Sequence, residues 1–141
     1  MTKGELKLVL DVLPAMCQHY RENKGSLLAK IFGVFTLKTD TTQEVHLMLM
    51  ENTLQLKNPA GLEYIFDLKG SLVDRKTKGK ITSSTTLKDT NFLLASENSK
   101  KFINLTSARK NKILQVIKKD VDFLASRGLM DYSLLLGIEC L

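Results

Sequence analysis

Behind Thr2-Lys3-Gly4-Glu5 the apolar residues Leu6, Val9, Leu10, Leu13, Met16, Cys17 and Tyr20 recur at helical spacing. A period near 3.6 gathers them on one face, and a Thr followed three residues later by Glu is a capping-box signature, so the stretch predicts an amphipathic helix that Gly25 ends. Pro14 lies inside it, and the missing N–H predicts a kink or a division near Leu13. Residues 28–38 and 44–50 are rich in Ile, Phe, Val and Leu around Thr39-Asp40-Thr41-Thr42-Gln43, which reads as an antiparallel hairpin. A turn at Asn58-Pro59-Ala60-Gly61 leads into a short apolar strand over 62–68.

Residues 91–95 and 101–105 read as two further short strands flanking Ser96-Glu97-Asn98-Ser99. Thr106-Ser107 then offers an N-cap to a long helix with Ile113, Leu114, Ile117, Val121 and Leu124 as its buried stripe and Gly128 as its stop. A final apolar strand is expected over 133–138. The fold class is α+β, an antiparallel sheet with packed helices.

Composition narrows the function classes. Twenty-one Lys and Arg against fifteen Asp and Glu give a net charge of +6, which favours an anionic partner. Three Tyr, six Phe and no Trp leave no aromatic-basic interleaving for stacking nucleobases, which places nucleic acid below a phospholipid surface. Cys17 and Cys140 have neither zinc-ligand nor disulfide-framework spacing, as suits a reducing compartment. No apolar run approaches the roughly 20 residues that cross a bilayer. The expectation is a cytoplasmic protein, soluble or peripheral at the cytoplasmic face of membranes.

Three stretches carry candidate chemistry. In Met130-Asp131-Tyr132-Ser133-Leu134-Leu135-Leu136 a carboxylate stands between a helix and an apolar strand, the setting in which kinases fix the aspartate that receives a hydroxyl proton. Standing alone, the same residue reads more readily as a turn aspartate. In Asp67-Leu68-Lys69-Gly70-Ser71 a lysine precedes a glycine that lets backbone approach an anion closely, a pairing suited to phosphate. Between Lys69 and Lys88 the basic residues Arg75, Lys76, Lys78 and Lys80 face only Asp74 across an aperiodic Gly/Thr/Ser-rich segment, which reads as a mobile basic loop or a solvated linker. His46 reads as an ordinary strand residue.

Taken in order, Asp67-Leu68-Lys69-Gly70-Ser71, Leu87-Lys88-Asp89-Thr90-Asn91-Phe92 and Met130-Asp131-Tyr132-Ser133-Leu134-Leu135 resemble the DLKGS, LKDNDF-like and MDYSLL blocks of the phosphatidylinositol phosphate kinase family. The likeness runs from near Glu5 to Glu139. It implies the central part of a two-lobed, kinase-like fold, with helix, strands and hinge in residues 1–57 and the substrate and catalytic loops in residues 58–141. It implies Asp131 as catalytic base or hydroxyl-orienting group, Lys69 as a phosphate-binding catalytic residue, and Met50, Glu51, Asn52 and Thr53 with Leu135 around the adenine of ATP. Arg75, Lys76, Lys78, Lys80 and Lys88 would draw in phosphatidylinositol phosphate at an anionic membrane surface. Leu72 departs from the threonine frequent at its position.

The same likeness implies that a glycine-rich loop and an ATP-binding lysine precede Met1, and that the ligand for Mg²⁺ follows Leu141, leaving no metal ligand within the chain. Two functions follow: ATP-dependent phosphorylation of the inositol ring, or phosphoinositide binding by a non-catalytic remnant. Neither the ring position nor the oligomeric state is legible in the residues.

Overall fold

The computed structural model describes residues 1–55, 59–98, 103 and 105–139. Two compact units emerge, Met1–Asn52 with Ala108–Leu129, and Thr53–Ser107 with Met130–Leu141. The long helix near the C-terminus belongs to the first unit.

In the first unit, helix α1 (Lys3–Glu22) starts on a complete capping box: the Thr2 hydroxyl accepts the Glu5 N–H at 3.2 Å and the Glu5 carboxylate accepts the Thr2 N–H at 2.7 Å. Those bonds hold the Glu5 carboxyl below its usual range, the Thr2 backbone donor being the larger cause. The helix runs through Pro14 without the division that was one of the two expected outcomes. Proline removes one backbone bond there, and the element runs unbroken from its Thr2 cap to its Asn23 cap. Strands β1 (Ile31–Leu37) and β2 (Val45–Met50) form the antiparallel hairpin, with a bulge near Phe32. His46 stands opposite Thr36, its Nδ1 2.9 Å from the hydroxyl, as a strand residue.

The long helix α3 (Ser107–Ser126) shares this unit with α1 from Ala108 onward. The expected apolar stripes hold in part: Leu124 is buried and Leu6, Val9, Leu13, Met16, Tyr20, Ile117 and Val121 are half-buried, whereas Leu10, Cys17, Ile113 and Leu114 are exposed and Val12, outside the stripe, is buried. A polar pair lies within the packed face. His19 Nε2 lies 2.7 Å from Asp120 Oδ1, and the same carboxylate accepts the Ser26 hydroxyl at 2.8 Å and the Leu27 N–H at 2.7 Å. The His19 ring stacks on Phe123 at 4.4 Å, and Asn23 Nδ2 reaches His19 Nδ1 at 3.3 Å. The buried face of each helix therefore centres on a residue that satisfies the other's polar group. Tyr20, half-buried, donates to the Ala29 carbonyl at 2.8 Å; burial first, then nearby Cys17, Glu51 and Asp120, pushes its hydroxyl up to about 12.

The second unit is built on strand β3 (Leu62–Leu68), which follows a short 3₁₀ turn at Pro59–Gly61. Its neighbours are β4 (Thr86–Leu87) and β5 (Leu134–Glu139), in the order β4-β3-β5. The sheet is mixed, a correction to the antiparallel expectation. β5 runs antiparallel to β3, but β4 runs parallel because residues 69–85 return the chain to the start of a new strand. β5 is half-exposed rather than buried, with Leu134 and Leu135 open to solvent.

Residues 91–95 are not a strand: they lie in helix α2 (Asp89–Asn98). The run Phe-Leu-Leu-Ala has no period of its own, and Leu, Ala and Glu97 favour helix once Asp89 opens the first turn. Phe92 sits edge-on to Phe66, ring centroids 5.2 Å apart, and Phe66 is the fully buried centre of this unit. Burying such a ring contributes about 3 kcal/mol. The strand expected at 101–105 falls mostly outside the described residues.

Candidate functional site

Register brings the site together. β3 leaves the sheet at Leu68 directly opposite Leu134, where β5 enters it. Because these strands are antiparallel, Lys69 and Asp131 emerge from the same end of the sheet. Lys69 Nζ lies 2.7 Å from Asp131 Oδ1, so the two residues assigned to catalysis form an ion pair. Asp131 adopts φ 65°, a left-handed conformation that Asp tolerates better than most residues, and its side chain is 87% exposed. The hydrogen bond from Lys69 holds the Asp131 carboxyl below its usual range. Lys69 retains two further donors, and Oδ2 of Asp131 makes no hydrogen bond among the described residues.

Asp89, nine-tenths buried, holds the lysine's backbone. Its Oδ1 accepts the N–H of Lys69 at 3.0 Å and of Gly70 at 2.8 Å, and its Oδ2 accepts Nε of Arg75 at 2.8 Å. Burial works to raise the Asp89 carboxyl, but the Arg75 bond and the backbone amides outweigh it and leave it below the usual range. Arg75 Nη2 also reaches the Asp67 carbonyl and, at 3.1 Å, Asp67 Oδ2. Asp67 is lowered chiefly by a hydrogen bond from Ser133, then by Arg75, against the effect of burial. A chain of contacts results. Lys69 is fixed through Asp89, Asp89 through Arg75, and Arg75 through Asp67, which pairs across the sheet with Leu135 of β5, the strand that follows Asp131.

Arg75 thus points inward, 12% exposed, with both carboxylate partners engaged, rather than outward toward a lipid. The basic segment is tethered at Arg75 and Thr77. Thr90 N–H donates to the Arg75 carbonyl at 3.0 Å, and Asn91 accepts the Thr77 N–H at 2.8 Å while donating to the Thr77 carbonyl at 3.2 Å. Lys76, Lys78 and Lys88 line a concavity of about 760 Å³ with Leu72. Lys80 is exposed on the same segment and outside that lining.

A smaller cavity of about 240 Å³ is lined by Thr53, Leu54, Gln55 and the β5 residues Leu135, Leu136, Gly137 and Glu139. It lies just below the ~300 Å³ at which small-molecule pockets usually begin. Two of the residues offered for adenine, Thr53 and Leu135, therefore share one surface. Met50, Glu51 and Asn52 lie in the other unit. There the Glu51 N–H is taken up by the Lys30 carbonyl at 2.8 Å, and its side chain pairs with Lys30 at 3.5 Å. Among the described residues no three His, Cys, Asp or Glu gather as a metal ion requires, and Asp67 and Asp89 are already bound to Arg75. These residues do not fit a divalent ion.

Asp89 and Ser133 lie within the three motifs, but the sequence alone assigns them no role. Asp89 had a signal, a carboxylate directly after a strand and ahead of an apolar run, the position of a residue that gathers backbone donors.

The family model described as phosphatidylinositol-4-phosphate 5-kinase matches residues 1–141. A probable phosphatidylinositol phosphate kinase of Dictyostelium discoideum is 37% identical over 97% of this chain and 18% of its own length. Phosphatidylinositol 5-phosphate 4-kinase type-2 gamma of Xenopus tropicalis is 37% identical over 92% of this chain and 30% of its own. Phosphatidylinositol 4-phosphate 5-kinase 3 of Arabidopsis thaliana is 33% identical over 99% and 19%. The chain spans less than a third of the length of these relatives.

Proposed function

The chain belongs to the phosphatidylinositol phosphate kinase family, and we propose that it contributes the catalytic-loop and substrate-loop part of an enzyme that moves the γ-phosphoryl group of ATP to an inositol hydroxyl of a phosphatidylinositol monophosphate. The observation that carries this reading is the Lys69–Asp131 pair at 2.7 Å, held by the Asp89–Arg75–Asp67 network.

Phosphoryl transfer passes through a loose transition state and asks the protein for position and charge more than for a strong base. A carboxylate lowered by its lysine suits that task. Oδ2 of Asp131 orients the attacking hydroxyl and receives its proton as the bond to phosphorus forms, while the two remaining Lys69 donors hold phosphate oxygens. The bond to the ADP oxygen breaks and ADP leaves with the electron pair. Thr53 and Leu135 are our assignment for one wall of the adenine site, and we read the units as parts of two kinase lobes. Lys76, Lys78, Lys80 and Lys88 act on the anionic membrane surface, with Arg75 as their internal anchor. Relatives named for both 4-kinase and 5-kinase activity match the chain, so the reading extends to either ring position.

The test is a chimera in which residues 1–141 replace the matching segment of the Xenopus 5-phosphate 4-kinase. It should phosphorylate phosphatidylinositol phosphate in vesicles, and D131N should lower turnover by about 10²- to 10⁴-fold with lipid binding retained. K69A should lower turnover and weaken apparent lipid affinity as well. Full turnover in the D131N chimera would overturn the assignment.

A further inference from the structure

The turn between Gly70 and Arg75 exposes two large aliphatic side chains, Leu72 at 62% and Val73 at 80%. Such exposure in a loose loop would be unremarkable, since single apolar residues are common on surfaces. This turn is built. The Gly70 N–H and the Arg75 guanidinium are bound to the same buried carboxylate, Asp89, so both feet of the turn stand on one point. Gly70 at φ 73° and Asp74 at φ 53° reverse the backbone on either side of the apex, and the Ser71 hydroxyl accepts the Val73 N–H at 3.3 Å. The backbone is closed on itself while its apolar side chains face water.

The surroundings indicate what the tip meets. Leu72 lies on the rim of the concavity that Lys76, Lys78 and Lys88 line, so aliphatic groups and ammonium groups share one surface. That combination matches the boundary of an anionic bilayer, where acyl chains take apolar groups and headgroups take cations. The tip also begins two residues after Gly70, within the loop that carries Lys69 to Asp131.

We propose that Leu72 and Val73 form a membrane-inserting tip that enters the acyl boundary of an anionic bilayer while the neighbouring lysines hold the headgroups, setting the height of the Lys69–Asp131 pair above the lipid surface. The proposal rests on the reading that this chain works at such a surface. Charge brings the protein to the leaflet, and the tip supplies a salt-insensitive component that charge alone lacks.

The chain contains no tryptophan, so V73W places a single reporter at the apex. The probe is vesicles of phosphatidylcholine with phosphatidylserine and phosphatidylinositol 4-phosphate. V73W emission should shift to shorter wavelength on addition of vesicles and be quenched by brominated acyl chains. The double variant L72S/V73S should partition more weakly by about tenfold to a hundredfold, at high salt as well as low. Both positions are exposed, and an unchanged circular dichroism spectrum verifies the fold of each variant. V73W that co-sediments with vesicles without a spectral shift overturns the tip and leaves the anionic-surface reading standing. Absence of co-sedimentation by the parent at low salt overturns both. Emission already blue-shifted without lipid shows the tip covered by protein, and overturns insertion.

Discussion

Arg75 Nε lies 2.8 Å from Asp89 Oδ2, so a guanidinium on the basic loop braces the carboxylate whose other oxygen accepts the Lys69 and Gly70 backbone amides. The pair is largely removed from solvent, so losing one charge leaves the other poorly compensated. Asp89→Asn should lower Tm by roughly 5–10 °C and expose the Lys69 and Gly70 amides to hydrogen exchange. An unchanged exchange rate at those two amides would show that Asp89 does not hold the loop.

Acid should release the same network. Asp67 and Asp89 both titrate below the ordinary aspartate value of 3.8 when folded. With folded values depressed, the stability they lend is complete above the unfolded value and is lost as pH falls through the folded ones. The Tm difference between the parent and Asp67→Asn should therefore be largest near neutrality and shrink below about pH 4. A difference that stays constant into acid would contradict the linkage. Asp131, open to water, should add little.

The helix pair of the first unit depends on His19. His19→Ala removes a donor to the buried Asp120 and the stack on Phe123, at a cost of about 3 kcal/mol. His19→Gln, which keeps a donor amide, should recover part of it. Denaturant titration distinguishes them, and equal losses for the two variants would show that packing alone is at stake.

Glycine substitutions separate backbone strain from crowding. A Cβ at Gly70 meets nothing within 4 Å, but φ is 73°, so Gly70→Ala should destabilise by about 1 kcal/mol through conformation alone. Gly4 is equally open and lies within α1 with no positive φ, so Gly4→Ala should stabilise by up to about 1 kcal/mol. The same sign for both in denaturant melts would refute the distinction.

Replacing Lys76, Lys78 and Lys80 with Gln should weaken binding to anionic vesicles at low salt by at least about tenfold and flatten the salt dependence. Equal partitioning of parent and variant would leave those lysines as solubilising residues.

Much of this protein was legible because it is local. Strand 62–68 was read to the residue from an apolar run bounded by a turn, and the capping box at Thr2 and Glu5 from its spacing. The helix at residues 91–95 was misread because an apolar run of that length has no period to separate helix from strand. His19 and Asp120 went unassigned, although a carboxylate between Ile117 and Val121 on an apolar stripe signals a buried partner.

The sequence by itself determined the first and last helices, the hairpin and the strands at 62–68 and near the C-terminus, which residues are chemically able to handle phosphate, and the kinship of the three motifs. Those properties depend on neighbours a few positions away. Only the tertiary structure decided that Lys69 meets Asp131 across 62 residues and His19 meets Asp120 across 101, that Arg75 turns inward, and that Leu72 and Val73 turn outward. Contacts at such separations are set by strand register and by which helix faces can bury each other's polar groups, and neither quantity is written in any single stretch of the chain.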